Sequence, residues 1–275
     1  DINDTIFNPQ GQSSEQILEF AEQTVFEIAE QETRGRKSYQ KISTYTDLVM
    51  NMMQERAESK NPITGIRTGY HDLDKITAGF QRSDLIVIAG RPAMGKSALA
   101  VNIAETAAIK DKHSVAIFSM EMSASALSQR MISSLGRVNA HSIKTGKLEE
   151  KDWNRIDGAI QQMKNAPIYI DDTPSITPIE LRSRARRIQR EKGLSLVVVD
   201  YLQLMRVPGN KENRAVEIAE ISRNLKALAR ELNIPVVALS QLNRSVEQRP
   251  DKRPQMSDLR DSGAIEQDAA LIAFI

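Results

Sequence analysis

The apolar, β-branched run Leu85-Ile86-Val87-Ile88-Ala89 breaks at a glycine and gives way, after a short turn, to a helix-forming stretch. The turn reads Gly90-Arg91-Pro92-Ala93-Met94-Gly95-Lys96-Ser97 and fits the phosphate-loop pattern of two glycines, a lysine and a hydroxyl. Glycines let the backbone wrap tightly around an anion with its N–H groups pointing inward. Lys96 can place an ammonium on the β/γ-phosphates of ATP, and the Ser97 hydroxyl can ligate Mg²⁺. The stretch from Ala98 to Ala104 is a good helix former, so residues 90–98 would hold the phosphates at a helix N-terminus. Strand before and helix after are the context this motif needs.

From there strands and helices alternate. Ser114 to Phe118, Pro167 to Ile170, Leu196 to Val199 and Val236 to Leu239 are short apolar runs. Between them fall helical patterns, one carrying Leu127, Met131 and Leu135, another near 151–163 with Trp153, expected as a packing residue. Thr177-Pro178-Ile179-Glu180 is a capping-box helix start, and 214–232 a long amphipathic helix. Consecutive apolar strands joined by helices predict an α/β fold, a mostly parallel sheet covered on both faces. Ligands of such sheets sit at the carboxyl ends of the strands. Polar residues stand there: Glu121, Asp200 and Gln241 each follow an apolar run. Asp200 has the placement of an acid that holds Mg²⁺ through its water shell. Glu121 fits a base polarising the attacking water equally with a helix-start glutamate favoured by the dipole. Gln241 can sense the γ-phosphate.

Composition narrows the class. In 275 residues, 40% hydrophobic and 27% charged, the net charge is +1, so nucleic-acid binding would need local patches rather than a global field. The absence of cysteine excludes disulfides and thiolate metal sites. No apolar run reaches the ~20 residues of a membrane helix. His71, His113 and His141 show no metal spacing. Both ends look cut: the chain starts at Asp1 without methionine and stops inside an apolar run.

Before the phosphate loop, a polar arm leads into an amphipathic helix with Ile17, Ala21, Val25 and Ile28 on one stripe, ended by Gly35. Such a helix packs back on its own domain or docks on a neighbouring subunit. A second helix, about 46–58, is expected to bury Leu48, Val49, Met52 and Met53; residues 65–81 read as loop. Arg182, Arg184, Arg186, Arg187 and Arg190 crowd one helix, which reads chiefly as a solvated face.

Five ordered motifs together resemble the hexameric replicative DNA helicases of bacteria, the DnaB family. They are residues 90–97, Phe118-Ser119-Met120-Glu121-Met122, Val199-Asp200-Tyr201-Leu202-Gln203-Leu204-Met205, Ala238 to Arg244, and Ser257 to Asp268. The resemblance spans Thr64 to the end, and the first helices resemble the family's linker. It implies a RecA-like ATPase core with Glu121 as catalytic glutamate, Lys96 and Ser97 on phosphate and metal, Asp200 on metal and Gln241 on the γ-phosphate. Arg130 matches a family arginine near the γ-phosphate, and Arg260, Asp261 and Gly263 match a loop gripping single-stranded DNA. This chain has Arg-Asp-Ser at 260–262 where the family has Arg-Glu-Ser, and Ser83 where glycine is common. The linker helix would dock on the adjacent subunit. An arginine finger, worth ~10³ to 10⁵ in rate, would come from beyond Ile275.

The resulting expectation is a linker at 1–40 and a RecA-like motor domain at 41–275. It would act as an ATP-dependent helicase in a homohexameric ring on single-stranded DNA, meeting a primase and a helicase loader in the bacterial cytoplasm at the nucleoid. A RecA-type recombinase and a non-hydrolysing, nucleotide-gated assembly module are the alternatives.

Overall fold

The structure, a computed structural model, describes residues 41–58, 62–207, 214–259 and 263–275. The expected linker helix at 13–35 lies outside the described residues. By internal contacts the chain divides into residues 1–61 and 62–275. Of the first unit the structure describes one helix, α1 (Ile42–Glu58). Its Leu48, Val49, Met52 and Met53 are exposed, 47–60%, contrary to the buried face expected of them. Burial needs a second layer, and no second element of that unit is described.

The second unit begins with α2 (His71–Thr77), β1 (Leu85–Gly90), α3 (Lys96–Glu105) and β2 (Val115–Ser119). It continues through α4 (Ala124–Gly136), α5 (Ala140–Thr145), α6 (Glu150–Lys164), β3 (Ile168–Asp171) and α7 (Pro178–Lys192). Then come β4 (Leu196–Asp200), α8 (Arg214–Leu232), β5 (Val236–Gln241), α9 (Ser245–Gln248), α10 (Gly263–Asp268) and β6 (Leu271–Phe274).

The six strands form one sheet in the order β3-β2-β4-β5-β1-β6, every pair parallel. In β1 the pleat sends Leu85, Val87 and Ala89 into one apolar core and Ile86 and Ile88 into another. Neither face meets water, which is why the run is continuously apolar rather than alternating. The first core is closed by Leu181 and Ala185 of α7 and by Ile218, Ile221 and Leu225 of α8. The second is closed by Ala100, Ile103 and Ala104 of α3 and by Leu127 and Met131 of α4. Parallel register sets Gly90 level with Gln241 and Ser119 level with Asp200, so the polar strand ends meet along one edge.

Two local readings change, and a third position shows its reason. The stretch 65–81 contains α2, whose signal is weak because it has almost no apolar stripe. It is held instead by the buried Asp74 carboxylate, which accepts from Thr68 N at 2.8 Å, Thr68 Oγ1 at 2.8 Å and Gly69 N at 3.2 Å. Trp153 is 59% exposed, because α6 packs through Ile156 and Ala159 instead. Ser83 stands at φ +65°, the left-handed conformation that glycine adopts freely and that explains a family glycine there. The capping box at Thr177 forms as expected: Glu180 N donates to Thr177 Oγ1 at 3.2 Å, and Thr177 N to Glu180 Oε2 at 2.8 Å.

Candidate nucleotide site

The turn after β1 is built to leave room. Ala93 (φ +64°) and Gly95 (φ +97°) both take the left-handed conformation, and nothing lies within 4 Å of where a Gly95 side chain would begin. A Cβ on Gly90 would meet the Lys96 stem at 3.2 Å and the Ile275 carbonyl at 3.3 Å, so glycine there lets the lysine fold back along the strand end. Lys96 Nζ donates to the carbonyls of Gly90 at 3.0 Å and Arg91 at 3.3 Å. Pro92, Ala93 and Met94 are exposed at the tip, and Ala98 lies in the first turn of α3. Arg91 turns away from the tip: Nη1 donates to the Leu242 carbonyl at 2.8 Å and Nε to Glu247 Oε1 at 2.7 Å.

Beside the loop, β4 ends in Asp200, 3% exposed, joined to Tyr201 by a cis peptide. Burial raises the Asp200 carboxyl above the usual range; a hydrogen bond from Ser97 opposes this, Glu121 adds to it, and Lys96 and Arg130 oppose it. The same cluster acts on Lys96, whose ammonium is lowered by burial and partly restored by Glu121 and Asp200. Tyr201 is raised by burial, then by Glu121 and Asp200. Lys96, Ser97, Glu121, Arg130 and Asp200, spread over a hundred residues of sequence, therefore share one electrostatic environment at the carboxyl ends of β1, β2 and β4.

Asp200 Oδ1 is buried without a hydrogen-bond partner. An orphaned carboxylate oxygen is costly unless something cationic or a bound water satisfies it. Together with the Ser97 hydroxyl it is the donor pair expected of a Mg²⁺ site completed largely by water and phosphate. Among the described residues no group of three or more His, Asp or Glu side chains could hold a metal by itself.

At the end of β5, Gln241 lies level with Gly90 and is half-buried. Leu242 N donates to the Gly90 carbonyl at 3.2 Å, and Leu242 bridges antiparallel to Leu259. The segment between is compact. Asn243 N donates to the Asp258 carbonyl at 2.8 Å, and Arg249 reaches the buried Asp258 carboxylate at 2.5 Å and the Arg253 carbonyl at 2.9 Å. Of the expected DNA contacts, Arg260 and Asp261 lie outside the described residues; Gly263 is exposed at the start of α10.

The arginines of α7 are largely committed within the chain. Arg182 and Arg186 pair with Glu231, Arg184 with Asp171, and Arg187 with Glu191. Sequence reasoning missed Glu247, Gln203 and Arg214, all contacts made through tertiary structure. Gln203 and Tyr201 lie inside the motif Val199 to Met205, the one sequence signal that points to them.

Fold and site together define a phosphate-loop NTPase core. The model of the DnaB-like helicase C-terminal domain matches residues 65–275, and the chain belongs to that family. The replicative DNA helicase DnaB of Buchnera aphidicola subsp. Schizaphis graminum (strain Sg) is 53% identical over 272 residues, covering 98% of this chain and 58% of that protein. The DnaB of Pasteurella multocida (strain Pm70) is 50% identical over 280 residues, covering 100% and 60%. The chain thus spans about three fifths of the length of these relatives. Among solved structures, one described as an ATPase domain superposes with a TM-score of 0.80 at 37% identity, covering 86% of this chain and 83% of that one. A DnaB-like replicative helicase, described with its interactions with primase, superposes at 0.78 with 34% identity, covering 94% and 66%. The RecA-like architecture expected from the motifs is the one observed. No helix among the described residues is long and apolar enough to cross a membrane.

Proposed function

We propose that the chain is the motor part of an ATP-driven replicative DNA helicase, with residues 1–40 as a linker ahead of it. The observation that carries the reading is that Ser97, Glu121, Lys96 and Arg130 all act on the buried Asp200 carboxylate beside the phosphate loop, one oxygen of which has no hydrogen-bond partner. In this reading the main-chain amides of residues 93–97 and the Lys96 ammonium hold the β- and γ-phosphates of ATP, shifting from the carbonyls that Lys96 now contacts. Ser97 and Asp200 would hold Mg²⁺, which supplies charge neutralisation across the phosphates. Glu121 orients a water for in-line attack and accepts its proton, while Arg130 stabilises charge that develops on the γ-phosphoryl oxygens.

Gln241 reads the γ-phosphate, and its strand continues into the segment that ends at Leu259. Arg260, Asp261 and Gly263 then contact the backbone of single-stranded DNA, so binding is independent of sequence and sensitive to salt. In a homohexameric ring each site is completed by the neighbouring subunit, and a primase and a loader are the partners the family reading implies. Family membership supports the bacterial cytoplasm at the nucleoid as the working location.

The deciding experiment pairs ATPase assays with and without single-stranded DNA with a forked-duplex unwinding assay and a strand-exchange assay, on the chain with its native ends. DNA-stimulated turnover with unwinding supports the helicase. Strand exchange without unwinding points to a recombinase. Nucleotide binding without DNA-stimulated turnover points to an assembly module. Equilibrium Mg²⁺ binding to Asp200→Asn, read by calorimetry with a non-hydrolysable nucleotide, tests the metal assignment independently of turnover.

A further inference from the structure

Gln203 sits in a single 3₁₀ turn, Leu202–Leu204, just past Asp200, and its side chain turns toward β5. Nε2 donates to Ser240 Oγ at 3.0 Å and to the Gln241 carbonyl at 3.3 Å, and Oε1 accepts from Gln241 N at 3.2 Å. The pairing explains why a side chain is needed there. β4 and β5 stay in register only as far as Val199 opposite Ala238, while on its other side β5 pairs with β1 out to Gly90 opposite Gln241. The last residues of β5 have therefore lost one strand neighbour. The Gln203 amide, which carries both a donor and an acceptor, takes the place of that missing ladder.

Gln203 is itself held. Its carbonyl accepts from Arg214 Nη2 at 2.6 Å, Arg214 pairs with Glu217, and the Glu217 carboxylate accepts from Val207 N at 3.0 Å. The main chain at Gln241 is thus fixed from both flanks, by Gly90 on β1 and by Gln203. The Leu242–Leu259 bridge follows one residue later.

We propose that Gln203 is a positioning residue for Gln241. It fixes the end of β5, so that a response of the Gln241 side chain to nucleotide passes into the Leu242–Leu259 segment and is not lost as local movement of the strand end. This rests on the helicase reading, in which Gln241 senses the γ-phosphate and the segment after Leu259 meets DNA. Gln203 touches neither nucleotide nor DNA in this assignment.

The test is steady-state ATPase of the chain with its native ends, with and without oligothymidine, for wild type, Gln203→Leu, Gln203→Glu and Ser240→Ala. Gln203→Leu should lower the ratio of DNA-stimulated to DNA-free turnover about tenfold while KM for ATP stays within about twofold, the scale expected when hydrogen bonds that position a reporting group are lost. Gln203→Glu keeps the acceptor for Gln241 N but not the donor, and should give an intermediate ratio. If the leucine variant fails to fold, the glutamate variant carries the test. Ser240→Ala leaves both bonds to Gln241 and should keep the wild-type ratio. A purely structural Gln203 would lower Tm and both turnovers together with the ratio intact, and that outcome overturns the proposal alone. A wild-type enzyme unresponsive to DNA overturns the helicase reading beneath it.

Discussion

The Arg91 guanidinium, inside the phosphate loop, donates at 2.8 Å to the carbonyl of Leu242, the residue that follows the end of β5. With Glu247 accepting at 2.7 Å, one side chain spans the nucleotide loop and the segment leading toward the proposed DNA contacts. Arg91→Ala should free the loop from this brace and raise KM for ATP by about tenfold, the worth of one charge-assisted hydrogen bond to a buried carbonyl. Glu247 is 56% exposed, so Glu247→Ala should have a smaller effect. Equal losses in the two variants would place the effect in the ion pair and not in the carbonyl contact.

Lys96→Ala should reduce ATP turnover by about 10²- to 10³-fold, because a positioned cation on the transferring phosphoryl group is removed. Wild-type turnover in this variant would take the phosphate loop out of the mechanism. Lys96→Arg should not rescue it, since a planar fork does not fit a cradle shaped for a compact ammonium.

Glu121→Gln should keep nucleotide affinity and lose about 10²- to 10⁴-fold in turnover, as expected for removing a general base. Fluorescent-nucleotide titration beside phosphate release separates binding from chemistry. A parallel fall in both would return Glu121 to the role of a helix-start residue.

Glu105, at the end of α3, is 6% exposed; its Oε2 accepts from Ser134 of α4 at 2.9 Å and its Oε1 has no partner. Burial raises its carboxyl to about 7, partly opposed by the Ser134 bond and Lys110. Between the unfolded value near 4.5 and about 7 the folded chain therefore holds a proton that the unfolded chain has released. Stability should fall as pH rises through that window, and be insensitive to this group below it. Glu105→Gln, which keeps the bond to Ser134, should flatten the dependence. Urea midpoints at pH 4.5, 6 and 8 would read it, and an unchanged slope would remove Glu105 as its origin.

Arg249→Ala should destabilise the 243–259 segment by about 2 kcal/mol, because it leaves the Asp258 carboxylate, 2% exposed, without its guanidinium partner. Hydrogen exchange should show the loss as local opening of that segment. Asp258→Asn in the same background should recover part of it by removing the stranded charge.

Much of this arrangement is legible in the residues themselves. Strands buried on both faces leave an unambiguous apolar signature, and the phosphate loop is a local object whose geometry follows from its own glycines and lysine. Asp200 can be placed because a strand end and an acid are adjacent in sequence. Glu121 cannot be assigned from the residues alone, because a carboxylate at the start of a helix has two physical explanations. Its electrostatic influence on Asp200 and Lys96 supports the first, a base beside the phosphates, and that nearness is a property of strand order. Gln203 and Arg91 are opaque in a different way. Their partners lie far along the chain, and nothing local in a glutamine or arginine says what it will reach. Trp153 and α1 depart from expectation because an apolar side chain need not be buried, a matter that composition alone does not decide.

The position of β1 in the sheet has a consequence for the birth of the protein. Both neighbours of the strand that carries the phosphate loop, β5 and β6, are made after it, with β2, β3 and β4 in between. During synthesis Leu85 to Gly90 must wait, uncovered along both edges, until β5 and β6 have emerged. Such delayed, long-range pairing makes for slow folding and leaves a sticky intermediate in need of shelter. It also means that the ability to hold a nucleotide waits on β5 and β6, so protection from proteolysis by nucleotide would report a sheet completed on both sides of β1.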